Sequence, residues 1–139
     1  MRKLRVLDLF SGIGGFSLGL ERAGGFETVA FCEIEDYPRR VLAKHWPNVP
    51  CYDDVRTLSP EPGSADVVCG GFPCQDLSKA GKRAGLSGSR SGLFRELVRA
   101  FRMVGAKFLI MENVADLLHL GMGEVCGELA SSGLRVEWD

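Results

Sequence analysis

Five short apolar runs, each closed by turn residues and spaced by helical or polar segments, set the limits on how this chain can fold. Lys3 to Leu9, Phe26 to Cys32, a short stretch near Pro50 to Tyr52, Ala65 to Gly70 and Lys107 to Met111 read as buried strands. Between the first two, an apolar-periodic segment from about Phe16 to Ala23 predicts a helix, which Gly24 and Gly25 stop. Asp36 reads as the N-cap of a second helix carrying Val41 and Leu42, which Pro47 ends. Phe94, Leu97, Val98 and Phe101 fall at i, i+3, i+4 and i+7, one helix face. Val125 and Leu129 predict a last helix closed by Gly133, and Leu134 to Trp138 reads as the start of a sixth strand. Strands that alternate with helices imply right-handed crossovers. The expected fold class is therefore α/β, a doubly wound, mostly parallel sheet with helices on both faces.

Composition narrows the function only by exclusion. At 139 residues the chain fits one domain, 1–139, large enough to bury a core without metals or disulfides. No run of about 18 apolar residues occurs and the N-terminus has no signal-peptide body, so no membrane partner is expected and the location is read as cytoplasmic. Five cysteines are an odd number, without a C-x-x-C pair and with only two histidines. Neither a disulfide framework nor a metal site is expected from that set. The net charge of −1 gives no global sign of nucleic-acid binding, so such a function has to rest on local charge.

In a sheet of this kind, ligands sit outside the carboxyl ends of the strands. Those ends deliver Phe10 with a glycine turn, Glu33, Asp53-Asp54, Pro73-Cys74 and Glu112-Asn113, all to one rim. The turn Gly12-Ile13-Gly14-Gly15 lets the backbone approach a ligand and leaves helix amides facing it, although a tight strand-to-helix turn alone has the same signature. Glu33 lies about 20 residues beyond the turn, where a ribose-binding carboxylate is expected. Position 17, where a dinucleotide fingerprint wants a third glycine, holds Ser17. An adenosine ligand without a pyrophosphate suits that pattern better. Asp54 is read either as the acceptor for an adenine amino group, with Ile34 packed on the base, or as a solvated turn aspartate.

Cys74 follows Pro73 at the start of a polar stretch, whereas Cys32, Cys51 and Cys69 sit in or beside apolar runs. A nucleophilic thiol needs exposure and nearby positive charge. From Gln75 to Ser91 there are four basic residues, Lys79, Lys82, Arg83 and Arg90, against Asp76. That stretch reads either as a solvated linker or as a lid that closes over phosphates.

With these residues in place the chain resembles the cytosine-5 DNA methyltransferase family, in order and over nearly its whole length. Asp8-Leu9-Phe10-Ser11-Gly12-Ile13-Gly14-Gly15 is similar to the family's cofactor motif, and Gly71-Phe72-Pro73-Cys74-Gln75 to its Pro-Cys motif. Glu112-Asn113-Val114 is similar to its Glu-Asn-Val motif, and Ser91-Gly92-Leu93-Phe94 to the helix entry between them. The resemblance implies a Rossmann-like fold that binds S-adenosylmethionine and releases S-adenosylhomocysteine. It implies that Phe10, Ser11, Gly12, Ile13, Gly14 and Gly15, with Gly71 and Pro73, line the cofactor pocket. Glu33 would bind the ribose hydroxyls, and Ile34, Asp54, Val55 and Leu93 would surround the adenine.

By the same resemblance Cys74 is the nucleophile and Glu112 holds the target cytosine, flipped out of double-stranded DNA. The segment containing Ser78, Lys82 and Arg90 would close on the base and its flanking phosphates. In this sequence Asp53 stands where the family places glycine, and no Gln-x-Arg-x-Arg motif or recognition domain follows. The expectation is a truncated catalytic domain, with a complementing C-terminal polypeptide as a partner and a place in restriction-modification. Two other readings stay open: a silent module that binds S-adenosylmethionine without catalysis, and a cytosine-5 tRNA methyltransferase.

Overall fold

A computed structural model describes residues 1–71, 91–112 and 122–137. Its sheet is built from β1 (Leu4–Leu9), β2 (Phe26–Cys32), β3 (Cys51–Tyr52), β4 (Val67–Gly70) and β5 (Phe108–Met111). All pairings are parallel and the order is β3-β2-β1-β4-β5, so β1 is central. The helices are α1 (Gly15–Ala23), α2 (Asp36–His45), α3 (Ser91–Val104) and α4 (Met122–Ser131). One compact unit, Met1–Pro73 with Leu93–Glu112, holds the whole sheet; Cys74–Gly92 with Asn113–Asp139 form a second unit, which holds α4.

Alternation along the strands assigns the two faces of the sheet. Val6, Val67 and Cys69 form a buried cluster with Phe16 and Leu20 of α1. Leu9 and Gly70 point the other way, toward α3, where Leu97 comes so close that a methyl group on Gly70 would sit 2.8 Å from its Cδ1. Helices therefore cover both faces, as the sequence pattern requires. The predicted face of α3 is the buried one: Phe94, Leu97, Val98 and Phe101 are all inside. Val125 and Leu129 of α4 are buried too, and Gly133 follows that helix with a φ of 79°.

Two expectations are corrected. Glu35, not Asp36, occupies the cap position of α2, in extended backbone and with no side-chain cap. Asp36 is instead the first helical residue, where its charge favours the positive end of the helix, and it pairs with Arg40 one turn on. Leu134 to Glu137 forms no strand. A strand needs a neighbour for its backbone groups, and none pairs with this segment among the described residues.

Two buried carboxylates fix β1 at its ends, by opposite means. At the amino end, Asp66 accepts Arg2 Nη1 at 2.7 Å, Arg2 Nη2 at 2.9 Å and the Arg5 backbone N–H at 2.9 Å, with Arg5 Nε at 3.2 Å. The Arg2 and Arg5 guanidinium groups, with that backbone N–H, hold the Asp66 carboxyl far below the usual carboxylate range. Near the carboxyl end, Asp8 is 1% exposed and accepts the Ser17 hydroxyl of α1 at 2.6 Å. Burial dominates there and pushes Asp8 up to about 6, against the hydrogen bonds from Ser17 and Cys69 that favour its charged form.

These shifts give opposite pH dependences. Asp66 contributes stability in full above about pH 4 and loses it as the pH falls below its unfolded value. Asp66→Asn should therefore lower the thermal midpoint at pH 7 and shrink the acid-side loss of stability, measured by calorimetry from pH 7 to 3. Asp8 binds its proton more tightly folded than unfolded, so stability falls as the pH rises from about 4 to about 6. Asp8→Asn keeps an acceptor for Ser17 and should remove that fall, gaining about 3 kcal/mol at pH 8 relative to pH 4; equal slopes for both proteins in urea titrations would contradict the assignment.

Candidate functional site

Strand register decides which residues meet at the carboxyl edge. Leu9 is level with Cys32 on one side and Gly70 on the other, Cys32 with Tyr52, and Gly70 with Met111. The next residue of each strand therefore lies on one rim, in the order Asp53, Glu33, Phe10, Gly71, Glu112. At about 4.8 Å per strand the rim is roughly 19 Å long. Strand order reverses at β1, whose neighbours β2 and β4 depart in opposite directions, and a crevice opens at such a point.

The turn after β1 is strained. Phe10 has a φ of 53°, a left-handed conformation that side chains avoid, and no other non-glycine residue among the described ones has a positive φ. Ser11 braces it from inside: its hydroxyl donates to the Asp8 carbonyl at 2.6 Å and accepts the Cys32 N–H at 3.3 Å. Its backbone N–H reaches the Cys32 carbonyl at 3.2 Å, carrying the ladder two residues past β1.

The glycines of the turn divide the work. Nothing lies within 4 Å of a methyl group placed on Gly12 or Gly15, so their backbones stand open to a ligand. Gly14, with a φ of 91°, faces protein instead, and a methyl group there would sit 2.6 Å from the Trp46 ring. Trp46 is held by Nε1 donating to Glu21 at 3.1 Å and by an edge contact with Phe31. Gly14 thus lets α2 close against the turn.

Glu33 turns back onto that glycine turn. Its Oε1 accepts the Gly12 N–H at 3.1 Å and its Oε2 the Glu35 N–H at 3.3 Å. The spacing of turn and carboxylate in sequence is therefore a real contact. Ile13 and Ile34 stand 61% and 62% exposed at the rim, unusual for residues of that size. Val55 is buried, while Leu93 is half-buried near the start of α3.

Asp54 is not a loose turn aspartate. Its Oδ1 accepts the Arg56 N–H at 2.9 Å and Nε at 3.0 Å, and its Oδ2 accepts Nη2 at 2.8 Å. Arg56 holds the Asp54 carboxyl below the usual range and so keeps it ionised and oriented. At the other end of the rim, the Glu112 N–H donates to the Gly70 carbonyl at 3.2 Å. A methyl group on Gly71 would lie 2.7 Å from Glu112 Oε2. Gly71 is therefore glycine to leave room for that carboxylate, a reason the motif alone does not supply. Pro73, Cys74, Ser78, Lys82 and Arg90 lie outside the described residues.

Several residues of the site escaped the sequence reading. Ser17 replaces the third glycine because its hydroxyl satisfies buried Asp8, and that departure was its signal. Trp46, Arg56 and Arg99 carried none. Arg99 of α3 donates Nη2 to the Val55 carbonyl at 2.7 Å and Nη1 to the Leu58 carbonyl at 2.9 Å. Of the cysteines, Cys32 is pushed up to about 12 by burial, and burial raises Cys69 as well, so both are inert at neutral pH.

Known proteins share both the sequence pattern and the fold of this chain. Type II methyltransferase M2.BsuMI of Bacillus subtilis (strain 168) is 41% identical over 144 residues, which take in 97% of this chain and 36% of that protein. Type II methyltransferase M.Eco47II of Escherichia coli is 40% identical over 85% of this chain and 29% of its own. A crystal structure of an E. coli prophage protein described as a DNA modification methyltransferase superposes with a TM-score of 0.75 at 28% identity, covering 94% of this chain and 38% of that one. The chain thus spans about a third of the length of the curated relatives it matches. The model of the C-5 cytosine-specific DNA methylase family matches residues 4–138, and to that family the chain belongs.

Proposed function

We propose that this chain binds S-adenosylmethionine and carries the nucleophile for methylating carbon 5 of cytosine in double-stranded DNA. The observation that carries this reading is the level register of the rim, which sets the glycine turn and Glu33 beside Gly71 and Glu112 across the strand-order reversal.

The residues present fit an adenosine-containing cofactor. Gly12 and Gly15 leave open backbone, Glu33 offers a carboxylate at the same turn for vicinal hydroxyls, and Ile34 offers an apolar face for a base. No phosphate-binding third glycine is needed, and Ser17 is buried in its place. S-adenosylmethionine, when bound, supplies an electrophilic methyl group. We assign its ribose to Glu33 and its adenine to Ile34, Asp54, Val55 and Leu93.

Cytosine carbon 5 is too weak a nucleophile to react unaided. In the proposed reaction the Cys74 thiolate adds to carbon 6, which makes carbon 5 electron-rich. Glu112 holds the ring at N3 and the exocyclic amine, stabilising charge as it develops. After methylation, loss of the carbon 5 proton restores the double bond and expels the Cys74 thiolate. The base has to leave the duplex first, at a cost of roughly a few kcal/mol, and the segment with Ser78, Lys82 and Arg90 is assigned to its flanking phosphates.

A complementing C-terminal polypeptide is part of the proposal. Among the described residues β5 is paired only with β4, and Phe108 stands exposed at that edge of the sheet. No described helix is long and apolar enough to cross a membrane.

Duplex DNA containing cytosine with fluorine at carbon 5 blocks the last step and tests the chemistry. With S-adenosylmethionine and a complementing C-terminal segment of M2.BsuMI, the chain should form a covalent adduct visible by mass spectrometry on Cys74, and Cys74→Ala should form none. Glu112→Gln should slow adduct formation about 100-fold or more. Cofactor binding without any adduct would instead favour a silent module, and an adduct with tRNA but not DNA would favour the RNA enzyme.

A further inference from the structure

We propose that Arg99 is a positioning residue for the cofactor's adenine, fastening the Asp54–Val55 turn to the helix that carries Leu93. The inference rests on the assignment of Asp54, Val55 and Leu93 to the adenine and goes beyond it by naming what holds them in register.

The chain leaves β3 at Tyr52 and re-enters the sheet at Val67 on the far side of β1, so residues 53–66 pass over β2 and β1. They do so without a helix or a strand. On its sheet side the crossover leaves a space, although Val55 and Leu58 are buried. A cleft of about 320 Å³ lies there, lined by Leu7, Val29 and Ala30 of the sheet and by Thr57, Leu58 and Pro60 of the crossover. Within the crossover, Thr57 N–H reaches the Asp54 carbonyl at 3.2 Å and Leu58 N–H the Val55 carbonyl at 3.3 Å. These bonds shape the turn but do not fix its place.

Arg99 does fix it. Its planar fork spans the carbonyls of Val55 and Leu58, both ends of the turn, at 2.7 and 2.9 Å, and its Nε is paired with Glu96 one turn back on α3. Leu93 lies six residues before Arg99 on the same helix. Asp54 is already locked to Arg56 within the turn, so where its carboxylate stands relative to a base depends on where the turn stands. A shift of about 1 Å would turn a 2.9 Å hydrogen bond to an adenine amino group into none. Lysine, a point donor, reaches one carbonyl but not both.

Calorimetry on the chain with S-adenosylhomocysteine, and with S-inosylhomocysteine, in which oxygen replaces the adenine amino group, reads this directly. The unsubstituted chain should prefer the adenine compound about 10-fold or more, since the analogue leaves Asp54 without its donor. Arg99→Met, which keeps the aliphatic stem, should weaken S-adenosylhomocysteine about 10-fold and bring the preference toward unity, with Arg99→Lys in between. Where Arg99→Met does not fold, Arg99→Lys alone decides. A preference unchanged in the variants, or an equal weakening of both compounds, overturns the role of Arg99 and leaves the cofactor reading standing. Failure of the unsubstituted chain to bind either compound overturns the cofactor reading and this inference with it.

Discussion

Everything at the rim depends on β1 being hydrogen-bonded to a parallel strand on each side. A parallel pair cannot be closed by a tight turn, so each crossover carries the chain back along the sheet and delivers the next loop to the same edge. Register then does what no single residue does. Leu9, Cys32, Gly70 and Met111 are level, and the side chains beyond them converge without further adjustment. A slip of one residue in β2 would take Glu33 out of level with Phe10 and put its side chain on the other face of the sheet. The one irregularity, an extra residue at Val29 in β2, falls below that edge and leaves the last three pairs of β1 with β2 in step.

Strain at Phe10 is tolerated because the turn is over-determined. Its backbone is left-handed, yet Ser11 is tied to both Asp8 and Cys32, Gly12 is tied to Glu33, and Gly14 is capped by Trp46. The same residues explain a buried acid beneath the glycine turn. Asp8 is costly to desolvate, and Ser17 offsets part of that cost while tying α1 to β1. A serine at the third-glycine position is therefore structural and not a degraded fingerprint. Under the proposed function it also favours a ligand without a pyrophosphate, because the residue at that position is committed to the core.

The fold was legible because its signals were local. β2 was found at its true bounds, and the other strands within two residues, from apolar runs and glycine or proline punctuation. The buried face of α3 followed from four apolar positions at helical spacing. Leu134 to Trp138 was misjudged because an apolar–polar alternation says what a strand would bury and not whether a neighbour exists to pair with it. At the site, the glycine turn with Glu33 was legible as a spacing, and its contact is an observed hydrogen bond. Arg56 and Arg99 were not, since each acts through long-range or side-chain geometry that no period encodes. Gly71, read from its motif as a cofactor contact, has a further role that the motif does not encode: it makes room for Glu112.

The distribution of charge and of thiols carries the argument one step past the fold. Many of the described arginines are engaged with neighbouring acids: Arg2 and Arg5 with Asp66, Arg40 with Asp36, Arg56 with Asp54, Arg99 with Glu96. Such pairs neutralise one another and give little long-range attraction for a polyanion. The net charge of −1 therefore understates what the 75–91 segment offers, with its four basic residues against one acid. Thiol chemistry divides along the same boundary. Inside the sheet, burial suppresses the thiolate of Cys32 and Cys69, and reactivity there would damage the core. Cys74 adjoins the basic segment, where nearby positive charge would favour the ionised sulfur that addition to a pyrimidine requires. In the proposed reaction a single stretch of sequence would therefore both hold phosphate and activate the thiol.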